Sequence, residues 1–305
     1  MINNRTAYLE RLYELVGKNP DIVVLDVDNM KASGKNDICS DYPRQFVQCG
    51  IAEQNMIGIA AGLAFQGKIS FATTFSVFAS MRAAEQIRNT VCYAQANVKV
   101  VGTHSGLETG FDGGTHQGTE DIAIMRSLAH MRVVAPASPN AARALTDVLA
   151  ENKGPFYMRM GKSPAPELYD GIEAFPLGGS KTLHEGKDLT IMAIGCMVWR
   201  ALEAAKLLEK EGIHVRVVDM YSIKPIDEAA IVKAISETGG ILTAEDHNIH
   251  GGFGSAVAEV VCSCCPGKVK RMGLNDVFGR SGDPDRLYEM YHLAVEDIME
   301  ACRQF

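Results

Sequence analysis

Short runs of β-branched and other apolar residues alternate along this chain with longer amphipathic stretches, and that alternation narrows the fold more than any other feature. The runs Ile22–Leu25, Gln45–Gln48, Ile69–Thr73, Val98–Gly102, Met131–Ala135 and Phe156–Arg159 predict strands. Between them, "AEQNMIGIAAGLAFQ", "SMRAAEQIRNTVCYAQ", "DIAIMRSLAH" and "NAARALTDVLAENK" read as helices. Strand–helix–strand alternation at this spacing argues for a mostly parallel sheet covered on both faces. The stretch "SPAPELYDGIEAFPLGGSKTLHEGK" breaks the pattern with three of the chain's eleven prolines and reads as a linker. A second α/β unit follows, with strands near Leu189–Ala193, Val215–Asp219, Ile241–Ala244 and Lys268–Met272. The expected fold is α/β with two doubly wound domains: residues 1–165, a linker over 166–187, and a smaller domain over 188–305.

Composition excludes several classes of protein. With 305 residues, 47% of them apolar, the chain can bury a core large enough for two domains. A net charge of −7 leaves no electrostatic footprint for nucleic acid. No apolar run reaches membrane-spanning length, and "MINNRTAYLERLYEL" lacks the order of a signal peptide, predicting instead a helix from near Thr6. Eight scattered cysteines then read as reduced thiols in a cytoplasm. "CSCC" at 262–265 has one C-x-x-C spacing but no second ligand pair for zinc, so buried thiols at a helix end are expected. "HGGFGSAVAE" opens a helix as a phosphate loop would, yet Val257 stands where G-x-G-x-x-G needs its third glycine. A tight turn with close helix packing is the expectation there.

Chemistry concentrates in the first unit. Glu53 sits in "GIAEQNMIG", a carboxylate inside an apolar run, where burial is costly unless something partners it. "GTHSGLETGFDGGTHQGTEDIA" follows a predicted strand and precedes a helix, at the edge where open α/β sheets bind ligands. Its His104, Glu108, Asp112 and His116 suit a metal, hydroxyl recognition or acid–base work, although two histidines without a third fixed ligand argue weakly for metal. Phe75 and Phe78, three apart at a strand-to-helix transition, are either core or a wall for a flat heterocycle. Arg159 at a strand end is a candidate phosphate or carboxylate anchor.

These motifs occur in an order that resembles the transketolase family: "FVQCGIAEQNMIGIAAGLA", "ATTFSVFASMRAAEQIRN", "THSGLETGFDGGTHQGTEDIAIMRSLAHMRVVAPAS" and "FYMRMGKSP", then "TAEDHNIHGGFGSAVAEVV" and "VFGRSGDPDRLYEMYHL". The resemblance implies a thiamine-diphosphate enzyme that moves a two-carbon ketol unit from a ketose phosphate to an aldose phosphate. It makes Glu53 the glutamate that hydrogen-bonds N1′ of the cofactor's aminopyrimidine, with Phe75 and Phe78 walling that ring and Asp28 near it. Met81 stands where some members place a tyrosine over the pyrimidine, and Gln54 replaces a histidine that often follows the glutamate. Ser33, His104, Asp112, His116 and Arg159 are implied sugar and phosphate contacts, His116 with a catalytic part as well. No Gly-Asp-Gly occurs in the chain, so the residues that hold the diphosphate through Mg²⁺ are expected on a partner, an amino-terminal transketolase subunit, in an α₂β₂ assembly. No metal site is expected on this chain itself. The β subunit of a 2-oxoacid dehydrogenase and deoxyxylulose-phosphate synthase are the rivals within the same cofactor class. Two histidines and an aspartate in "ETGFDGGTHQGTED" suit a polyhydroxylated sugar better than a 2-oxoacid.

Overall fold

A computed structural model describes residues 2–29, 37–171 and 173–305. The predicted alternation resolves into twelve strands among the described residues. The first half supplies β1 (Ile22–Asp26), β2 (Phe46–Gln48), β3 (Ile69–Phe75), β4 (Val98–Thr103), β5 (Arg132–Val134) and β6 (Phe156–Arg159). The second supplies β7 (Lys181–His184), β8 (Leu189–Ala193), β9 (Val215–Asp219), β10 (Ser222–Lys224), β11 (Ile241–Asn248) and β12 (Val269–Leu274). One sheet has the order β10-β5-β6-β4-β3-β1-β2 and the other β12-β11-β8-β9-β7. Every pairing is parallel except β10 with β5 and β7 with β9.

Burial explains why the strands read as unbroken apolar runs. In β1, Val23 and Leu25 face one apolar cluster while Ile22 and Val24 face another, so both surfaces of the sheet are covered. The cluster around Val23 and Leu25 extends to Met192 of β8 and to Ile194 just after it, which joins the two sheets through shared packing. Helix starts follow local chemistry. Asn3 caps the helix Asn4–Lys18 by accepting from Thr6 N–H at 2.8 Å, and Ser138 caps Pro139–Glu151 with proline in the first turn.

Three expectations need correction. The linker stretch contains β7, and β10 leaves the second unit to complete the first sheet, pairing Ser222 with Val134 and Lys224 with Val133. Both are edge strands of three or four residues, too short to show a period of two. The residues read as one regular helix after β3 instead form π-helical turns at Phe78–Arg82 and Ile87–Tyr93. Cys262 and Cys264 are exposed and Cys265 half-buried, because the helix Phe253–Cys264 turns its last residues away from the core.

The glycine loop is filled by the protein's own carboxylate. Glu245 on β11 accepts Phe253 N–H at 2.6 Å and Gly254 N–H at 2.8 Å, taking the amides that a phosphate would need. A Cβ on Gly252 would lie 2.2 Å from Glu245 Oε2, so the close approach requires glycine. No helix among the described residues is long and apolar enough to cross a membrane.

Candidate functional site

Parallel β1, β3, β4 and β6 bring their carboxyl ends to one edge of the first sheet. Phe75 ends β3, and His104 follows β4 in the left-handed region, at φ +55. The His104 ring stacks on Phe75 with centroids 3.9 Å apart, and Phe75 lies nearly parallel to Phe78 at 5.7 Å. His116 meets both phenylalanines edge-on, at 6.1 and 5.5 Å. Residues 75, 78, 104 and 116 therefore form one group of four rings.

Glu53 begins the helix Glu53–Phe65 and is 2% exposed. Its Oε2 is buried with no hydrogen-bond donor. The cation that approaches it is Arg82, at 4.0 Å, and the same guanidinium lies 5.2 Å over the Phe78 ring. Arg82 thus spans the carboxylate and the ring group. A buried acceptor left open is unfavourable in a folded chain, and such groups persist at sites completed by something else.

Polar groups border the rings. Thr103 Oγ1 lies 3.3 Å from Thr74 O and 3.0 Å from His104 Nδ1, which fixes the imidazole in place. Burial, reinforced by nearby Lys162 and Arg5, pushes the His104 pKa down to about 4. His104 is therefore neutral at pH 7, with Nε2 left free of a protein partner among the described residues. Asp112 accepts Lys162 Nζ at 2.7 Å, and that bond holds its carboxyl below the usual range. His116 Nδ1 lies 2.9 Å from Thr115 Oγ1. Asp28 is exposed at the carboxyl end of β1, with φ +67 and its N–H 3.0 Å from Asp26 Oδ2. Arg5 reaches this edge from the first helix and donates to Asn29 O.

Not every expected residue joins this group. Arg159 is 4% exposed and points inward: Nε donates to both oxygens of Asp121 at 3.1 and 3.0 Å, and Nη2 to Gly118 O at 3.2 Å and Asp246 O at 2.6 Å. The expectation that it anchors a substrate phosphate is corrected by this geometry. Lys162, three residues further on, is the cation that pairs with Asp112, near enough to His104 to lower its pKa. Sequence reasoning missed it because its partner lies 50 positions away. Met81 is 46% exposed and borders a separate recess of about 620 Å³ with Val77, Thr115 and Phe278. Ser33 lies outside the described residues.

Glu108 is 6% exposed, and burial pushes its carboxyl up to about 8 from an ordinary 4.5. Between those values the folded chain holds a proton that the unfolded chain has lost. Its contribution to stability is complete below about 4.5 and is lost as pH rises through about 8. Glu108→Gln removes the titration, so its melting temperature is expected to fall less than wild type between pH 6 and 9. Parallel losses in the two proteins would mean that Glu108 is already ionised in the fold.

An open, mostly parallel α/β sheet with a ring-lined, polar-bordered group at its carboxyl edge defines a ligand-binding protein of the doubly wound class. Comparison with known families makes this specific: residues 1–167 match the pyrimidine-binding domain of transketolases, and residues 178–298 match the transketolase C-terminal domain. The chain belongs to the transketolase family. A putative transketolase C-terminal section from Methanocaldococcus jannaschii is 46% identical over 297 residues, 96% of this chain and 93% of that protein. The 6-deoxy-6-sulfo-D-fructose transketolase subunit SqwH of a Clostridium species is 39% identical, covering 98% of this chain and 93% of that protein. A solved split-gene transketolase, described as an inactive β₄ tetramer, superposes with a TM-score of 0.91 at 46% identity, over 99% of this chain and 97% of that one.

Proposed function

We propose that this chain is the carboxy-terminal subunit of a heteromeric transketolase, contributing the aminopyrimidine end of a thiamine-diphosphate site and most of its sugar contacts. The observation that carries the reading is the open Oε2 of Glu53, which Arg82 links to the stacked Phe75 and Phe78. A buried acceptor next to a ring wall fits a flat heterocycle presenting a ring N–H, as the cofactor's aminopyrimidine does. Names of the relatives support the same division of labour, since one is a C-terminal section, one a subunit and one a split-gene product. Exposed apolar side chains support a covering partner: Ile51 two residues before Glu53, Phe111 beside Asp112, and Met81 and Phe278 in one recess. The partner in this reading carries Gly-Asp-Gly, Mg²⁺ and the diphosphate, and two pairs form an α₂β₂ enzyme that works in a cytoplasm.

Bound thiamine diphosphate supplies the carbon nucleophile that carries the two-carbon unit. Glu53 would hold a proton at N1′, and Phe75 and Phe78 would wall the aminopyrimidine ring. Asp28 lies at the same edge, and Met81 lines the recess it shares with Thr115, the residue before His116. Neutral His104 hydrogen-bonds a sugar hydroxyl through Nε2, Asp112 accepts from another, and His116 hydrogen-bonds the reacting end. Lys162 takes the phosphate.

Reconstitution tests the whole reading. With a Gly-Asp-Gly subunit, thiamine diphosphate and Mg²⁺, ketol transfer between sugar phosphates is expected. Turnover of a 2-oxoacid alone would favour the dehydrogenase rival. A sharper test separates Lys162 from Arg159. Lys162→Ala removes a charge-assisted contact worth about 1.5–3 kcal/mol, so kcat/KM for a phosphorylated donor is expected to fall about 10- to 200-fold. Most of that effect should vanish with an unphosphorylated donor. Arg159→Ala leaves the fully buried Asp121 without its cation, with only Tyr157 Oη still donating to it, and is expected to destabilise the fold by about 3–5 kcal/mol whatever the donor. A stable Arg159→Ala protein with a phosphate-dependent defect would return the anchor role to Arg159.

A further inference from the structure

The loop bearing His104, Asp112 and His116 belongs to the first sheet, yet the second unit grips it along its length. Gly282 N–H donates to Gly110 O at 3.4 Å and Ser281 Oγ to Phe111 O at 2.7 Å. Gln117 Nε2 donates to Arg280 O at 3.0 Å, and Asn248 N–H to Thr119 O at 2.8 Å. The tightest tie is at the first turn. Asp246, on β11 and 1% exposed, accepts Leu107 N–H on both carboxylate oxygens at 3.0 Å. Gly106 has φ +62, and a Cβ there would lie 2.0 Å from Asp246 Oδ2, so the backbone can come this close only with glycine.

Asp246 is itself held. Tyr288 Oη donates to its Oδ2 at 2.6 Å, and its own carbonyl accepts Arg159 Nη2 at 2.6 Å. The turn it pins is short. Gly106 N–H donates to Gly118 O at 2.9 Å, and Thr109 Oγ1 donates to His104 O at 2.6 Å. A shift at Leu107 therefore passes by two hydrogen bonds to the backbone of His104 and to the strand of loop that carries His116. Asp246 has no place in the ring group or among the proposed sugar contacts.

We propose that Asp246 is a positioning residue of the sugar site, and that through it the C-terminal domain fixes where His104, Asp112 and His116 stand without touching substrate or cofactor. The proposal rests on the reading of those three as sugar contacts. Small displacements of groups that orient a substrate lower rates by as much as about 100-fold. A cofactor bound through Glu53 and the phenylalanines would not sense them to that degree.

Two measurements test it, the first of which needs no activity. In the isolated chain, hydrogen exchange of the Leu107 amide is expected to accelerate about tenfold or more in Asp246→Ala, while core amides such as Val100 stay protected. Asp246→Asn is expected to restore most of the protection, since its amide oxygen still accepts Leu107 N–H and its NH₂ faces Tyr288 Oη. In the reconstituted enzyme, Asp246→Ala is expected to lower kcat/KM for the sugar donor roughly 10- to 100-fold and to leave thiamine-diphosphate affinity within about threefold, with Asn again close to wild type. Arg303→Ala, which breaks a surface ion pair with Glu211 in the same unit, should change neither. If Asp246→Ala does not fold, Tyr288→Phe carries the test, with smaller changes in the same direction. Faster exchange with unaltered sugar kinetics would overturn the proposal, as would equal losses of cofactor affinity and sugar turnover. If no variant, wild type included, transfers ketol units, the functional reading fails while the exchange result still decides whether Asp246 pins the loop.

Discussion

Glu53→Gln is expected to lower ketol transfer by the reconstituted enzyme roughly 10²–10⁴-fold, the range for losing one proton-transfer group. Glutamine has the same length, so the helix Glu53–Phe65 and its buried Met56, Ile57, Ala60 and Ala61 should be undisturbed. The change falls on one atom: an amide cannot hold a shared proton at N1′ as a carboxylate does. Exchange of the C2 proton of bound thiamine diphosphate, followed without sugar, isolates this effect and should slow by a similar factor. The free chain should respond in the opposite sense. Wild-type Glu53 buries an oxygen with no donor and has Arg82 only at 4.0 Å, so replacing the charge by a neutral amide is expected to keep or raise the melting temperature. An unchanged C2 exchange rate would remove Glu53 from the proposed role.

The second large effect concerns the chain by itself. Homogeneous protein with thiamine diphosphate and Mg²⁺ is expected to show no measurable ketol transfer, and activity should rise on titration with a Gly-Asp-Gly subunit until the two are equimolar. The reason is chemical. A diphosphate is held through a metal ion by a dedicated carboxylate and amide set, and no Gly-Asp-Gly occurs in the 305 residues. The groups described on this chain suit the other end of the cofactor: a carboxylate, rings and hydroxyl-binding side chains. Full turnover by the single chain would overturn the division between subunits.

Much of the fold was legible because its strands are buried on both faces. Runs such as those that became β6, β8 and β9 were read with their observed ends, since each is a short, mostly apolar and mostly buried run. β7 and β10 were not legible. Each lies at a sheet edge and is defined by pairing with a distant strand rather than by its own pattern. The exposed thiols of Cys262 and Cys264 were misread for a related reason: position at a helix end does not say which way that end faces.

The candidate site divides along the same line. Glu53, Phe75, Phe78, His104 and His116 stood out because residue type and local context, a carboxylate in an apolar run or histidines among glycines, are properties of short segments. That the four rings gather into one group, that Glu53 Oε2 is left open, and that His104 is neutral are properties of packing. The two basic residues of "YMRMGKSP" show the limit most clearly. The sequence marks a cation at the end of a strand, but direction decides its work: Arg159 turns into the protein toward Asp121 and Asp246, and Lys162 turns out toward Asp112. The sequence by itself determined the alternating architecture, the family and the residue types at the sheet's edge, because periodicity and composition are written locally. Only the tertiary structure decided which charges meet, and that the second domain grips the loop of the first, because those contacts join residues from 38 to 170 positions apart.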